Sequence, residues 1–152
     1  MRGQGATETD NRLIELTVST REALRLNAVK FQNGSVYSGE WLAGKRHGQG
    51  SLIWVDGSRY DGEWRENYSW GFGRLAYGDC ESYEGEFVRN CREGKGRMVA
   101  GGISYEGDWK NDRQEGRGIE KWDGGRYEGE WLGGHKNGLG EIYFEDGSFY
   151  KG

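Results

Sequence analysis

Tyr60-Asp61-Gly62-Glu63-Trp64, a polar turn, then Gly71-Phe72-Gly73: this phrase decides the fold, because the chain keeps repeating it. It returns as Tyr37-Ser38-Gly39-Glu40-Trp41, Tyr83-Glu84-Gly85-Glu86-Phe87, Tyr105-Glu106-Gly107-Asp108-Trp109 and Tyr127-Glu128-Gly129-Glu130-Trp131, and a further copy opens at Tyr150-Lys151-Gly152. The leading tyrosines stand at 37, 60, 83, 105, 127 and 150, so the steps are 22 or 23 residues. A fixed period of that size means an array of small units, each packing only on its neighbours.

Within one unit, Gly50-Ser51-Leu52-Ile53-Trp54-Val55 is rich in β-branched and aromatic residues, Asp56-Gly57 marks a hairpin, and Ser58 to Trp64 reads as the return strand. A second turn follows each aromatic. The third residue after each aromatic is Gly44, Asn67, Asn90, Asp112 or Gly134, types that tolerate a left-handed backbone. The prediction is all-β: an elongated, single-layer antiparallel sheet of consecutive hairpins over 27–152, behind a short non-repeat N-terminal cap, 1–26. In that cap 13–18 alternates like a strand, while 19–26 carries capping-box spacing for a short helix.

Alternation sorts the side chains. Leu52, Trp54, Tyr60 and Trp64 share one face with their equivalents, and the glycine between Tyr and Trp leaves room for a neighbouring strand's ring. The other face carries Glu40, Glu63, Glu86, Asp108 and Glu130, read as a solvated row with Arg74 and Arg97 placed for cross-strand pairs. One edge of turns is basic and the other acidic.

Composition narrows the function. Glycine is 29 of 152 residues, proline is absent, and the net charge is −4, which disfavours nucleic acid as a partner. No apolar run is long enough to span a membrane as a helix. Cys80 and Cys91 lie too far apart for a disulfide in this layout, which fits a cytoplasmic setting. The Gly-x-Gly pairs lack the Gly-Lys-Ser/Thr of a phosphate loop, and His47 and His135 fall in different units. No catalytic set, metal site or cofactor is expected.

These residues resemble the MORN repeat, the "membrane occupation and recognition nexus", whose pattern is close to Tyr-x-Gly-x-Trp, a turn, then Gly-x-Gly. The likeness covers roughly 27–152. Phe87 departs from it, and 97–100 lacks the usual aromatic, which predicts a dent in the aromatic face. The resemblance implies a twisted single-layer sheet with an aromatic-lined groove, in a family found in junctophilins, lipid kinases, radial-spoke heads and parasite cytoskeletons, where the array is not itself an enzyme.

Three readings of function follow. In the first, the chain is a protein-interaction scaffold, cytoskeletal or ciliary by resemblance. A helix or extended segment of a partner lies along Trp54, Tyr60, Trp64, Tyr77, Tyr83, Phe87, Tyr105, Trp109, Tyr127 and Trp131. In the second, Lys45, Arg46, Arg89, Arg92, Lys95 and Arg113 form a basic rim for anionic phospholipids. In the third, the strand edge at the C-terminal end pairs with another chain.

Overall fold

The computed structural model describes residues 24–152. Twelve strands follow one another in sequence order and in space, each hydrogen-bonded to the next, in one open antiparallel sheet. They are β1 (Leu24–Lys30), β2 (Val36–Leu42), β3 (Lys45–Ile53), β4 (Arg59–Arg65), β5 (Tyr68–Ala76) and β6 (Ser82–Val88), then β7 (Cys91–Ala100), β8 (Ile103–Lys110), β9 (Arg113–Trp122), β10 (Gly125–Leu132), β11 (His135–Phe144) and β12 (Phe149–Lys151). The described residues contain no helix. A meander without a second layer is what short hairpin units allow, since each strand meets only its sequence neighbours.

The sheet starts earlier than the repeat. Leu24, Arg25 and Leu26 pair with Trp41, Glu40 and Gly39, so the helix expected over 19–26 does not extend into these residues. Pairing to an exposed strand edge outweighs a capping signal that local sequence alone provides. The strand expected over 13–18 lies outside the described residues.

The turns fall alternately on the two edges of the sheet, uniform along one and varied along the other. Along one edge the pairs Ala43-Gly44, Glu66-Asn67, Arg89-Asn90, Asn111-Asp112 and Gly133-Gly134 all have positive φ at both positions, the mirror-image turn whose twist matches a two-residue hairpin. The second residue does more than tolerate that backbone. Asn67 accepts the Arg46 amide at 2.9 Å, Asn90 that of Ser69 at 2.8 Å, and Asp112 that of Arg92 at 2.8 Å, so each turn is tied to the unit before it. On the other edge, Trp54 receives the Gly57 amide at 3.0 Å and Asp56 accepts the Ser58 amide at 2.9 Å, closing a longer loop.

Ala43 sits at φ 49, where its Cβ crowds the carbonyl, while the equivalent Gly133 has φ 58 and no such penalty. Ala43→Gly is therefore expected to raise stability by about 0.5–1 kcal/mol despite the extra freedom of the unfolded glycine. A thermal melt showing a lower midpoint would contradict this.

The pairing register places glycines opposite glycines in an unbroken track from Gly39 through Gly62 and Gly85 to Gly140. Beside the track, each hairpin closed at one of the five turns on the first edge carries a bulge where its register shifts, for example between Gly62 and Trp64. The acidic residue of the phrase clasps that bulge. Glu40 accepts the Gln49 amide at 2.9 Å, Glu63 that of Phe72 at 3.2 Å, Asp108 that of Arg117 at 3.0 Å and Glu130 that of Leu139 at 3.0 Å. The acidic row is therefore a set of backbone clips rather than only a solvated stripe. Its neighbouring row does alternate in charge across strands as the sequence suggested, with Asp61 opposite Arg74, Arg74 opposite Glu84, and Glu84 opposite Arg97.

Candidate functional site

The aromatic face is built from the tyrosines upward. Tyr37, Tyr60, Tyr83 and Tyr105 are each 1% exposed or less. Each ring lies across the glycine two residues on in its own strand and the glycine facing it on the next strand. The ring over the glycine is thus the unit's own tyrosine, not a neighbouring strand's as the sequence suggested. Its hydroxyl reaches the carbonyl of the acidic residue three positions on: Tyr37 donates to Glu40 O at 3.0 Å, Tyr60 to Glu63 O at 2.9 Å, Tyr83 to Glu86 O at 3.0 Å and Tyr105 to Asp108 O at 2.9 Å. Burial pushes the Tyr37 hydroxyl up to about 12, and it raises Tyr60, Tyr83 and Tyr105 as well.

The rings then interlock. Tyr60 meets Trp64 edge-on at 5.1 Å and the next unit's Phe87 at 5.1 Å, Tyr83 meets Phe87 and Trp109, and Tyr105 meets Trp109 and Trp131. This T-shaped geometry suits the ring quadrupole and adds about 0.5–1.5 kcal/mol per pair beyond burial. A zipper of own-unit and next-unit contacts is the core of a sheet that has no second layer.

That zipper corrects the expected groove. All ten predicted residues lie on the same face, but Tyr60, Trp64, Tyr83, Phe87, Tyr105, Trp109, Tyr127 and Trp131 are buried by one another. Trp54, half-buried, and Tyr77, 50% exposed, are the two of the ten that offer ring surface to a partner. They stand at the rim of a groove that also touches Leu75, Ser69 and Phe87. The row of rings to which Trp54 and Tyr77 belong breaks at Ala100, while Met98 packs against the zipper beside it. The dent expected over 97–100 is at Ala100.

The expected basic rim does not assemble. Arg46 and Arg92 face Trp41 and Phe87 across their hairpins, which puts both on the aromatic face. Arg46 lies over Trp64 at 4.5 Å, and Arg92 over Trp109 at 4.7 Å. Lys95 is on the opposite face, paired with Asp108. Lys45, Arg89 and Arg113 remain along the edge of turns, Lys45 beside Glu66 at 3.8 Å. The reason is register: with a two-residue turn, Leu42 faces Lys45 and Trp41 faces Arg46, so adjacent cations point to opposite faces.

That register reveals a row the sequence reading missed. The position of Arg46 is filled in later units by Ser69, Arg92, Gln114 and Lys136, all facing the phrase's aromatic. Arg92 has Asp112 at 3.2 Å and Lys136 has Glu120 at 2.6 Å. Arg46 donates to the Asn67 carbonyl at 2.9 Å and has no carboxylate partner among the described residues. Burial pulls its pKa down. Counting outward from the turn would have found this row.

Phe87 leaves a second gap. Trp64 donates its indole N–H to Gly50 O at 3.1 Å, Trp109 to Gly96 O at 3.0 Å and Trp131 to Gly118 O at 3.3 Å, whereas Phe87 has no donor for the corresponding carbonyl, Gly73. Phe87→Trp is expected to stabilise by about 1 kcal/mol through that bond, read as a shift in the denaturant midpoint. A lower midpoint would mean that the indole does not fit there.

No group of three or more His, Cys, Asp or Glu among the described residues could hold a metal ion. Cys80 and Cys91 are both free thiols.

Fold and face together define an open β-repeat array, a single sheet whose core is a ladder of rings. The family model for the MORN repeat matches residues 37–59, 60–79, 83–100, 105–125 and 127–149, and the chain belongs to the MORN repeat family. None of the curated proteins compared with it matches the chain. MORN repeats are non-enzymatic modules that serve protein or membrane interaction.

Proposed function

We propose that the chain is a non-catalytic scaffold that holds a segment of a partner protein, helical or extended, on its aromatic face, and that it is a structural part of a cytoplasmic ciliary or cytoskeletal assembly. The observation that carries the binding reading is the strip of Trp54, Leu75 and Tyr77 beside the buried zipper: apolar surface on a single-layer sheet, which no other element of the described chain covers. The setting rests on the family likeness alone.

A photo-crosslinking residue placed at Tyr77, with one at Phe72 on the opposite face as control, tests the reading in cells. Crosslinks to a cytoskeletal or ciliary protein from position 77 and not from 72 are expected. Crosslinks confined to position 72 would sink the face assignment. The anionic-lipid reading retains Lys45, Arg89 and Arg113 along one edge. Failure to sediment with phosphatidylserine vesicles at low salt would remove it.

A further inference from the structure

The row of cations over the zipper is uneven, and the unevenness falls at one place. Arg46 covers Trp64 and Arg92 covers Trp109, but the unit between them carries Ser69. The same unit is followed by Phe87 where its neighbours have tryptophan. Two large side chains are thus replaced by smaller ones at adjoining positions, and the groove opens there, bounded by Arg46, Trp54, Ser69, Tyr77, Phe87 and Asn90. Further along the sheet the face is closed by charge pairing: Arg92 is taken by Asp112 and Lys136 by Glu120. At the groove's end stands the one member of the cation row, among the described residues, without a carboxylate. Its guanidinium is half-buried over the rings, with planar donors suited to a two-oxygen acceptor.

Resting on the reading of this face as protein-binding, we propose that the groove takes an acidic, amphipathic peptide segment of a partner protein, with an apolar side chain seated over Ser69 and Phe87 and a carboxylate on Arg46. The charge complementarity is local. The whole chain is acidic at −4 and would repel such a segment at long range, and Asp56 lines the same groove at the opposite edge, so recognition depends on Arg46, the member of the row without a carboxylate among the described residues. An acidic group brought to it gains a charge-assisted bond in a partly dry setting, where such bonds are strongest.

The repeat supplies variants whose side chains the sheet already accommodates. Arg46→Gln copies Gln114, Ser69→Arg copies Arg46 and Arg92, and Tyr77→Ala copies Ala100. The experiment selects a random-peptide phage library on the full chain, then measures the selected peptides against each variant, with thermal melts confirming that each is folded. Expected are peptides enriched in Asp or Glu beside aliphatic or aromatic residues, weakened at least about ten-fold by Arg46→Gln and by Ser69→Arg, and partly restored by Arg46→Lys. Peptides weakened by Tyr77→Ala but indifferent to Arg46→Gln and Ser69→Arg would overturn this inference and leave the aromatic face as a binding site. Peptides indifferent to all of these variants would overturn both. A library yielding no peptide, with phosphatidylserine vesicles bound through Arg46 instead, would replace the peptide by a lipid.

Discussion

Gly62→Ala is expected to cost about 3 kcal/mol or more, at the upper end of what one added methyl does in a packed interior. The backbone of Gly62 is extended, so the reason is space and not conformation. A Cβ there would lie 2.5 Å from Gly73 Cα, 2.7 Å from the Phe72 carbonyl oxygen and 2.8 Å from the Tyr60 hydroxyl. Two of those three atoms are backbone of the adjoining strand, which can yield only by parting β4 from β5. Parting them would strain the Glu63 clip on Phe72, which spans the bulge, and the same methyl would press on the Tyr60 hydroxyl that bonds Glu63 O within β4. One methyl group therefore opposes three interactions together. The contrasting change is Gly57→Ala, where a Cβ would meet nothing within 4 Å and only the φ of +86 opposes it, a penalty of about 1–2 kcal/mol. Because repeat arrays unfold in parts, hydrogen exchange is the better readout. Gly62→Ala should deprotect β4 and β5 first and leave β9 to β11 protected. Normal protection across β4 and β5 would show that the glycine track is not a contact line.

The track explains which parts of the molecule were legible in the sequence. Tyr, Gly and Trp at spacing two must share a face, and a period of 22 or 23 fixes the order of hairpins, so the sheet and its aromatic side could be read from the phrase. What could not be read is how the rings divide their surface between each other and solvent. Tyr83 and Tyr77 are both tyrosines on the same face, yet one is 1% exposed and the other 50%. The difference comes from edge-on contacts to Phe87 and Trp109, which depend on the distance between units. The acidic residue of the phrase was equally opaque. Glu63 looks like a surface charge until the bulge brings the Phe72 amide to its carboxylate. Asn67 and Asn90 were read correctly as left-handed positions, but their ties to Arg46 and Ser69 bridge separate units, beyond what the local turn pattern describes. The basic rim failed for a simpler reason. It grouped cations by nearness in sequence, whereas a strand sends neighbours to opposite faces, and Arg46 and Arg92 went with the rings.

Alkaline unfolding should be steep, and the tyrosine ladder gives its sign. A tyrosine in an unfolded chain ionises near pH 10. In the folded sheet burial raises Tyr37 to about 12 and also raises Tyr60, Tyr83 and Tyr105. A raised folded value means that the neutral form is favoured by folding, so this contribution is fully present below about pH 10 and is lost as the pH climbs toward the folded values. Above pH 10 the unfolded chain releases protons that the folded one retains, and each such tyrosine removes about 1.4 kcal/mol per pH unit. Four acting together remove roughly 5 kcal/mol per unit, comparable to the whole stability of a small domain. Denaturant midpoints measured from about pH 9 upward should therefore hold and then collapse between about pH 10 and pH 12, with tyrosinate absorbance appearing together with the loss of sheet. Tyr105→Phe separates this from general charge repulsion. It gives up the bond to Asp108 O and should cost about 1 kcal/mol at neutral pH, yet it should also make the alkaline fall shallower by one tyrosine's share. If the ladder tyrosines ionised near pH 10 with the sheet intact, water would have to reach hydroxyls that the glycine track and the edge-on rings enclose.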